Sequence, residues 1–95
     1  MSNRAKATGT KIEDGDRVTI TEWRFAPGAE TGWHQHVLDY VVMYRTAAHL
    51  SVATRDDVVS VEIAEGTTYF RKAGAEHNII NAGSNEVVFL EVELK

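Results

Sequence analysis

The sequence predicts an all-β domain, with short antiparallel strands closed into a barrel or sandwich. Three observations point there. Turn signals recur about every ten residues, and the segments between them alternate or are rich in β-branched and aromatic residues. No stretch carries an apolar stripe at the helical period. At 95 residues the chain makes one domain, 1–95, near the size at which a single core becomes self-sufficient.

Residues 1–14 are mostly polar or small and read as a flexible, loosely attached segment. Asp14-Gly15-Asp16 is a turn signal. The first strand covers 17–25, with Val18, Ile20, Glu22 and Arg24 on one face and Thr19, Thr21, Trp23 and Phe25 on the other. Pro27-Gly28 and then Gly32 interrupt it and lead into Trp33-His34-Gln35-His36. One long strand over 33–45 is the simplest reading of the next segment, because 37–44 is rich in β-branched and aromatic residues. Further strands are expected over 50–54, 58–63, 67–71, 76–81 and 87–94. Between them lie Arg55-Asp56-Asp57, Ala64-Glu65-Gly66, Lys72-Ala73-Gly74-Ala75 and Ala82-Gly83-Ser84-Asn85.

Composition narrows the function. Without cysteine there is neither a disulfide framework nor a thiolate site, so any metal must be held by imidazole, carboxylate, phenolate or water. A net charge of −4 with scattered signs argues against nucleic acid as a partner. The N-terminus has no apolar secretory region and no stretch is long enough to span a membrane, so a cytoplasmic protein with no membrane partner is expected.

Four histidines are present, and three form a pattern. His34 and His36, at i and i+2 of a strand, point to the same face about 7 Å apart at Cα. Imidazoles so placed can converge on one ion through bonds of about 2.0–2.1 Å. A third ligand must come from another strand, and His77, just after the Gly74 turn, is the candidate. His49, beside a turn and without a partner nearby in sequence, reads as a solvated residue.

Gly28-x5-His34-x-His36 and Gly66-x6-Ala73-Gly74-x2-His77-x3-Asn81 together resemble the two motifs of the cupin superfamily. Those motifs are commonly written G-x5-H-x-H-x3-4-E-x6-G and G-x5-P-x-G-x2-H-x3-N. The resemblance runs from about Arg17 to the C-terminus. The stretches 31–36, 39–42, 75–83 and 91–95 are similar to small cupins of the BauB type, which are named for β-alanine degradation. The resemblance implies a single cupin-type double-stranded β-helix, or jelly-roll barrel. It also implies one divalent transition metal ion (Fe, Zn, Ni or Mn) on His34, His36 and His77, and a homodimer. The chain departs from the motifs at three places: Tyr40 replaces the first motif's glutamate, Lys72 the second motif's proline, and Ala47 the first motif's closing glycine.

If the strand alternates regularly, His34, His36, Leu38, Tyr40 and Val42 share a face and Asp39 points away, so Asp39 does not replace the missing carboxylate. Tyr40 then has three readings: a phenolate ligand, a hydrogen-bonding acid/base beside the ion, or an inward aromatic filling the barrel. Trp23, Phe25, Trp33, Tyr69 and Phe70 are read as core or as pocket lining. Arg24 and Arg71 are candidates for binding a substrate carboxylate in a bidentate contact, with an ordinary surface role as the alternative. Asn81 reads as a turn or backbone-binding residue. Two functions stay open: a metal-dependent enzyme acting on a small anionic metabolite, with dioxygenase-like chemistry favoured over isomerisation or hydrolysis, or a non-catalytic, metal-assisted binding or sensor module.

Overall fold

A computed structural model of the chain describes residues 4–95. Among these residues every regular element is a strand, and no helix is long and apolar enough to cross a membrane. The strands are β1 (Thr8–Asp14), β2 (Val18–Phe25), β3 (His34–Gln35), β4 (Tyr40–Tyr44), β5 (Ala48–Ala53), β6 (Val58–Ile63), β7 (Thr68–Arg71), β8 (Glu76–Asn81) and β9 (Val87–Leu94). They form a five-stranded sheet in the order β1-β2-β9-β4-β7 and a four-stranded sheet in the order β3-β8-β5-β6. Every pairing between named strands is antiparallel.

The core lies between the sheets. Phe25, Tyr40, Val42, Tyr44, Val87 and Phe89 face it from one side, and Ala48 and Leu50 from the other. Phe25 and Phe89 meet with ring centroids 5.5 Å apart. Burying side chains of this size contributes about 1.5–3 kcal/mol each, which is the main gain available to so short a chain. Asn81, buried at the end of β8, ties loops together as expected: its amide donates to the carbonyls of Phe25 (3.2 Å) and Asn85 (2.8 Å), and its Oδ1 accepts from the Gly83 N–H.

The structure differs from the sequence reading in two places. The expected strand over 33–45 is two strands in different sheets. His36 pairs with the approach to β8, its N–H donating to the Ala75 carbonyl (2.9 Å) and its carbonyl accepting from Gly74 (2.7 Å). Four residues later the chain has crossed over, and Tyr40 pairs with Arg71 and Glu93. Asp39 holds the crossing by accepting the Ala73 N–H at 2.8 Å. Alternation survives the break, so His36 and Tyr40 are both buried while Val37 and Asp39 are exposed.

The second difference is at the N-terminus. Within the segment expected to be loosely attached, Thr8–Asp14 pairs along β2. Ala7 and Ala5 also exchange backbone hydrogen bonds with Glu30. The whole of β1 remains exposed, so hydrogen bonds rather than burial hold it. At Gly9, which faces Trp23, a Cβ would come 2.8 Å from the indole, so the ring lies across the strand where a side chain is absent.

Candidate metal centre

Three short segments deliver the histidines. Gly32, at φ +85°, turns the chain into β3, and Gly74, at φ +108°, turns it into β8; both lie in the left-handed region that favours glycine. His34 on β3 and His77 on β8 are direct cross-strand partners. His36 comes two residues after His34, on the same face.

Their ring nitrogens converge. His34 Nε2 lies 3.1 Å from His36 Nε2, and His36 Nε2 lies 3.2 Å from His77 Nε2. Nitrogens bound to one ion at about 2.0–2.1 Å are about 3–3.4 Å apart, so this spacing suits a shared metal. The tautomer agrees. His34 Nδ1 is 2.9 Å from the Gly32 carbonyl, which can only accept, so Nδ1 carries a proton, and the neutral ring would present its lone pair at Nε2. Burial first, and the charge of His34 second, pushes His36 down to about 4. His77 is likewise lowered to about 4, by burial and then by His34, His36 and Arg71. Both rings are therefore neutral near pH 7, the form that binds metal.

An outer layer steadies this arrangement. Asn78 Oδ1 accepts from the Gly32 N–H (3.0 Å) and the Thr31 hydroxyl (3.3 Å), and Asn78 Nδ2 donates to Glu30 Oε1 (2.8 Å). Glu30 is buried and also accepts from the Lys6 ammonium at 3.3 Å. The Gly32 loop that orients His34 is thus pinned from β8 and from the N-terminal segment.

Tyr40 lies face-on against His36, with centroids 3.9 Å apart and planes 17° from parallel. Its hydroxyl makes no hydrogen bond among the described residues, and burial holds its pKa up, at about 12. Glu91 and Glu93 on β9 bring carboxylates within 4.8 Å of each other and of a His36 ring nitrogen. Burial, then repulsion from Glu93, raises Glu91 to about 7.

Sequence reasoning missed these two glutamates. The signal was their sharing a face with Val87 and Phe89, which are both buried.

Two spaces that share part of their lining, including His77, open here. A small one of about 20 Å³ is lined by His36, His77, Tyr40, Tyr69 and Glu91, among others. A larger cavity of about 210 Å³ is lined mainly by Leu50, Val52, Val59, Val61, Ile63 and Ile79, with Tyr40, Tyr44, Tyr69, His77 and Arg71 supplying polar atoms. Another depression, of about 290 Å³, lies among the turns near His49 and Asn85, and none of the three converging histidines lines it.

Arg71 reaches the histidine cavity and lies 4.2 Å from the centroid of the Tyr69 ring. Arg24 does not reach it. It sits on the outer face of β2, where Glu22 (3.0 Å) and Glu86 (3.2 Å) occupy its guanidinium. Phe25 is core, whereas Trp33 and Phe70 are half exposed, at 50% each, and lie outside the pocket.

Comparison with known proteins settles the family. No protein-family model matches the chain. Over all 95 residues, however, it is 50% identical to the β-alanine degradation protein BauB of Pseudomonas aeruginosa, with both chains fully covered. The chain is a small cupin, a relative of BauB. Among solved structures, a cupin domain from Bordetella pertussis superimposes with a TM-score of 0.95 at 44% identity, covering 100% of this chain and 99% of that one. An RmlC-like cupin from Methanocaldococcus jannaschii (TM-score 0.78, 14% identity, 99% and 84% covered) and the polyketide cyclase RemF of Streptomyces resistomycificus (0.75, 21%, 98% and 70%) share the fold. The two sheets of this cupin are accordingly the double-stranded β-helix that the sequence motifs imply.

Proposed function

We propose that this cupin binds one divalent first-row transition ion through His34, His36 and His77 and acts on a small anionic metabolite in the adjoining cavity. The observation that carries the reading is the convergence of three imidazoles whose Nε2 atoms stand 3.1 and 3.2 Å apart, with His77 lining the adjoining cavity. An all-nitrogen donor set suits Fe, Zn, Ni or Mn to different degrees. When bound, such an ion supplies Lewis acidity towards a carbonyl or carboxylate, and as iron also a redox centre for oxygen chemistry.

The chain's own residues do the rest. His34 is held in the ligating tautomer by Gly32. Tyr40 fixes the plane of His36 by stacking, and its unengaged hydroxyl can donate to a substrate oxygen. Arg71, at the cavity mouth, offers two parallel N–H donors to a carboxylate. The aliphatic wall excludes water. A volume of about 210 Å³ is small for a ligand pocket and suits a compact substrate. The name of the relative BauB supports a small carboxylate related to amino-acid breakdown. Space beside the histidines favours an enzyme over a non-catalytic binding module, and among reactions we favour dioxygenase-like chemistry.

We also propose a homodimer. An apolar row, Ile20–Val92–Val41–Phe70, crosses the outer face of β2, β9, β4 and β7, and Phe70 is 50% exposed. A face of this kind on so small a domain marks an interface. Val92→Lys should convert the dimer to a monomer in light scattering.

The decisive test is elemental analysis of untagged protein beside His36→Ala. Close to one ion per wild-type chain and none in the variant is the expected result. Oxygen uptake with small thiols and amino-acid-derived carboxylates then tests the reaction, and metal-free wild type after reconstitution would overturn the reading.

A further inference from the structure

The cavity of about 210 Å³ that His77 lines has two unlike walls, one from each sheet. Apart from His77, the four-stranded sheet supplies branched aliphatics alone: Leu50 and Val52 from β5, Val59, Val61 and Ile63 from β6, and Ile79 from β8. They form a continuous patch, since Val52 pairs with both Val59 and Ile79, and Leu50 with Val61. The five-stranded sheet supplies Tyr40 and Tyr44 from β4 and Tyr69 and Arg71 from β7, with Tyr40 and Arg71 directly opposite one another. A molecule between these walls meets hydrocarbon on one flank and hydrogen-bond donors on the other.

The donors define what that molecule carries. Arg71 makes no ion pair among the described residues; its guanidinium packs on the Tyr69 ring and donates to the Phe70 carbonyl at 3.3 Å. Its remaining N–H groups suit a carboxylate. The hydroxyls of Tyr44 and Tyr69 are 3.4 Å apart, and a bond between them uses one proton and leaves the other to donate. That proton, with the hydroxyl of Tyr40, suits a second, uncharged oxygen. Every side chain lining the cavity is aliphatic, phenolic, imidazole or guanidinium, and Glu91 lines only the space of about 20 Å³. An ammonium placed between the walls meets hydrocarbon, phenols and the like charge of Arg71, and burying it uncompensated is costly. The same lining that selects a carboxylate therefore rejects an amine.

We propose that the ligand of this cavity is a short aliphatic carboxylic acid with an oxo or hydroxy oxygen on its chain and no amine. Arg71 takes its carboxylate, the tyrosine hydroxyls its second oxygen, and the branched wall its hydrocarbon. This deepens the reading of the cavity as the substrate site and rests on it. A precursor that bears an amine must first exchange it for oxygen, by deamination or transamination.

Isothermal titration of the untagged protein near neutral pH, with three probes of one carbon skeleton, tests this: isovalerate, the corresponding α-oxo acid, and valine. The oxo acid should bind most tightly, and valine about tenfold more weakly or worse. Arg71→Gln should weaken the oxo acid by about tenfold or more, while Arg24→Gln on the outer face leaves it unchanged. Val61→Asp, which sets a carboxylate in the aliphatic wall, should narrow or reverse the preference over valine. Thermal melting identifies a variant that has not folded, and should Val61→Asp be one, the exposed Arg71 position and the wild-type probe order still decide. Valine binding as tightly as the oxo acid overturns the proposal, as does unchanged oxo-acid affinity in Arg71→Gln. Binding by none of the probes also overturns it; if His36→Ala has lost the wild-type ion, the metal centre stands without this ligand. Oxo-acid binding that depends on Arg71 in a protein holding no ion keeps the ligand class and fails the metal reading.

Discussion

His49 and the other three histidines show what one side chain becomes on two sides of a sheet. On the outer face of β5, His49 is solvated and meets its cross-strand partner Glu62 (3.3 Å) and Ser60 (2.8 Å). Its hydrogen-bonding capacity is used by ordinary surface neighbours. Inside the barrel, His34, His36 and His77 turn their Nε2 atoms on one another, and among the described residues no carboxylate is hydrogen-bonded to any of them. Facing lone pairs at that range repel unless a proton or an ion lies between them. The residue type is therefore uninformative by itself. What distinguishes the two regions is whether the neighbours already satisfy the ring.

This contrast can be broken most forcefully by removing ligands. His34→Ala and His77→Ala should each abolish stoichiometric metal in elemental analysis, whereas His49→Ala should keep it at the wild-type level; loss in His49→Ala would erase the distinction. The next effect in size comes from the outer layer. Asn78→Ala unpins the Gly32 loop that orients His34, and chelator competition should find metal bound about 10–100-fold more weakly.

A subtler effect appears in the pH dependence of the metal-free chain. His36 and His77 titrate near 4 when folded and near 6.5 when unfolded. Between those values the unfolded chain takes up protons that the folded one refuses. Their contribution is thus complete above about pH 6.5 and lost as pH falls towards 4. Glu91 has the opposite sign. Its folded value of about 7 stands above the ordinary 4.5, so its contribution is complete below 4.5 and lost as pH rises through 7. The single glutamate offsets part of the trend of the two histidines in wild type. Glu91→Gln removes that offset, and urea midpoints should then show stability rising between pH 4.5 and 6.5 by on the order of 1–2 kcal/mol more than in wild type. A variant curve no steeper than the wild-type one contradicts it. The smallest effect sharpens the comparison from its other side: His49→Ala should change the unfolding free energy by less than about 0.5 kcal/mol.

Much of this was readable before any coordinates. Strands β6 and β8 run over 58–63 and 76–81 as the turn signals place them, and the two-residue spacing of His34 and His36 puts both rings on one face. Where legibility ended, the cause is physical. The N-terminal strand β1 buries no side chain, so it leaves no hydrophobic signature, and its backbone pairing to β2 is invisible in composition. The crossing at 37–39 was hidden because Val37 and Leu38 continue the apolar run, while the hydrogen bond that holds the crossing is one that Asp39 accepts from Ala73, far along the chain. On β9 the more apolar set, Val88, Leu90, Val92 and Leu94, lies opposite the face that carries Phe89 and the two glutamates inward. A rule that sends the greasier face to the core would have hidden Glu91. Arg24 failed as a site residue for a similar reason: a strand position identifies the face, but not which face is outside.

One small feature of the edge strand has an optical consequence. The indole of Trp23 crosses β1 only because Gly9 has no side chain, so detaching that strand exposes one flank of the ring to solvent. The chain has two tryptophans, and the other, Trp33, is already half exposed. In a Trp33→Phe background the remaining emission reports on Trp23 alone, and a red shift before global unfolding would register the edge strand peeling away. Since Lys6 and Ala7, which bond to Glu30, lie just upstream of β1, the same signal would track, without a label, how firmly this segment is fastened beside the three converging histidines.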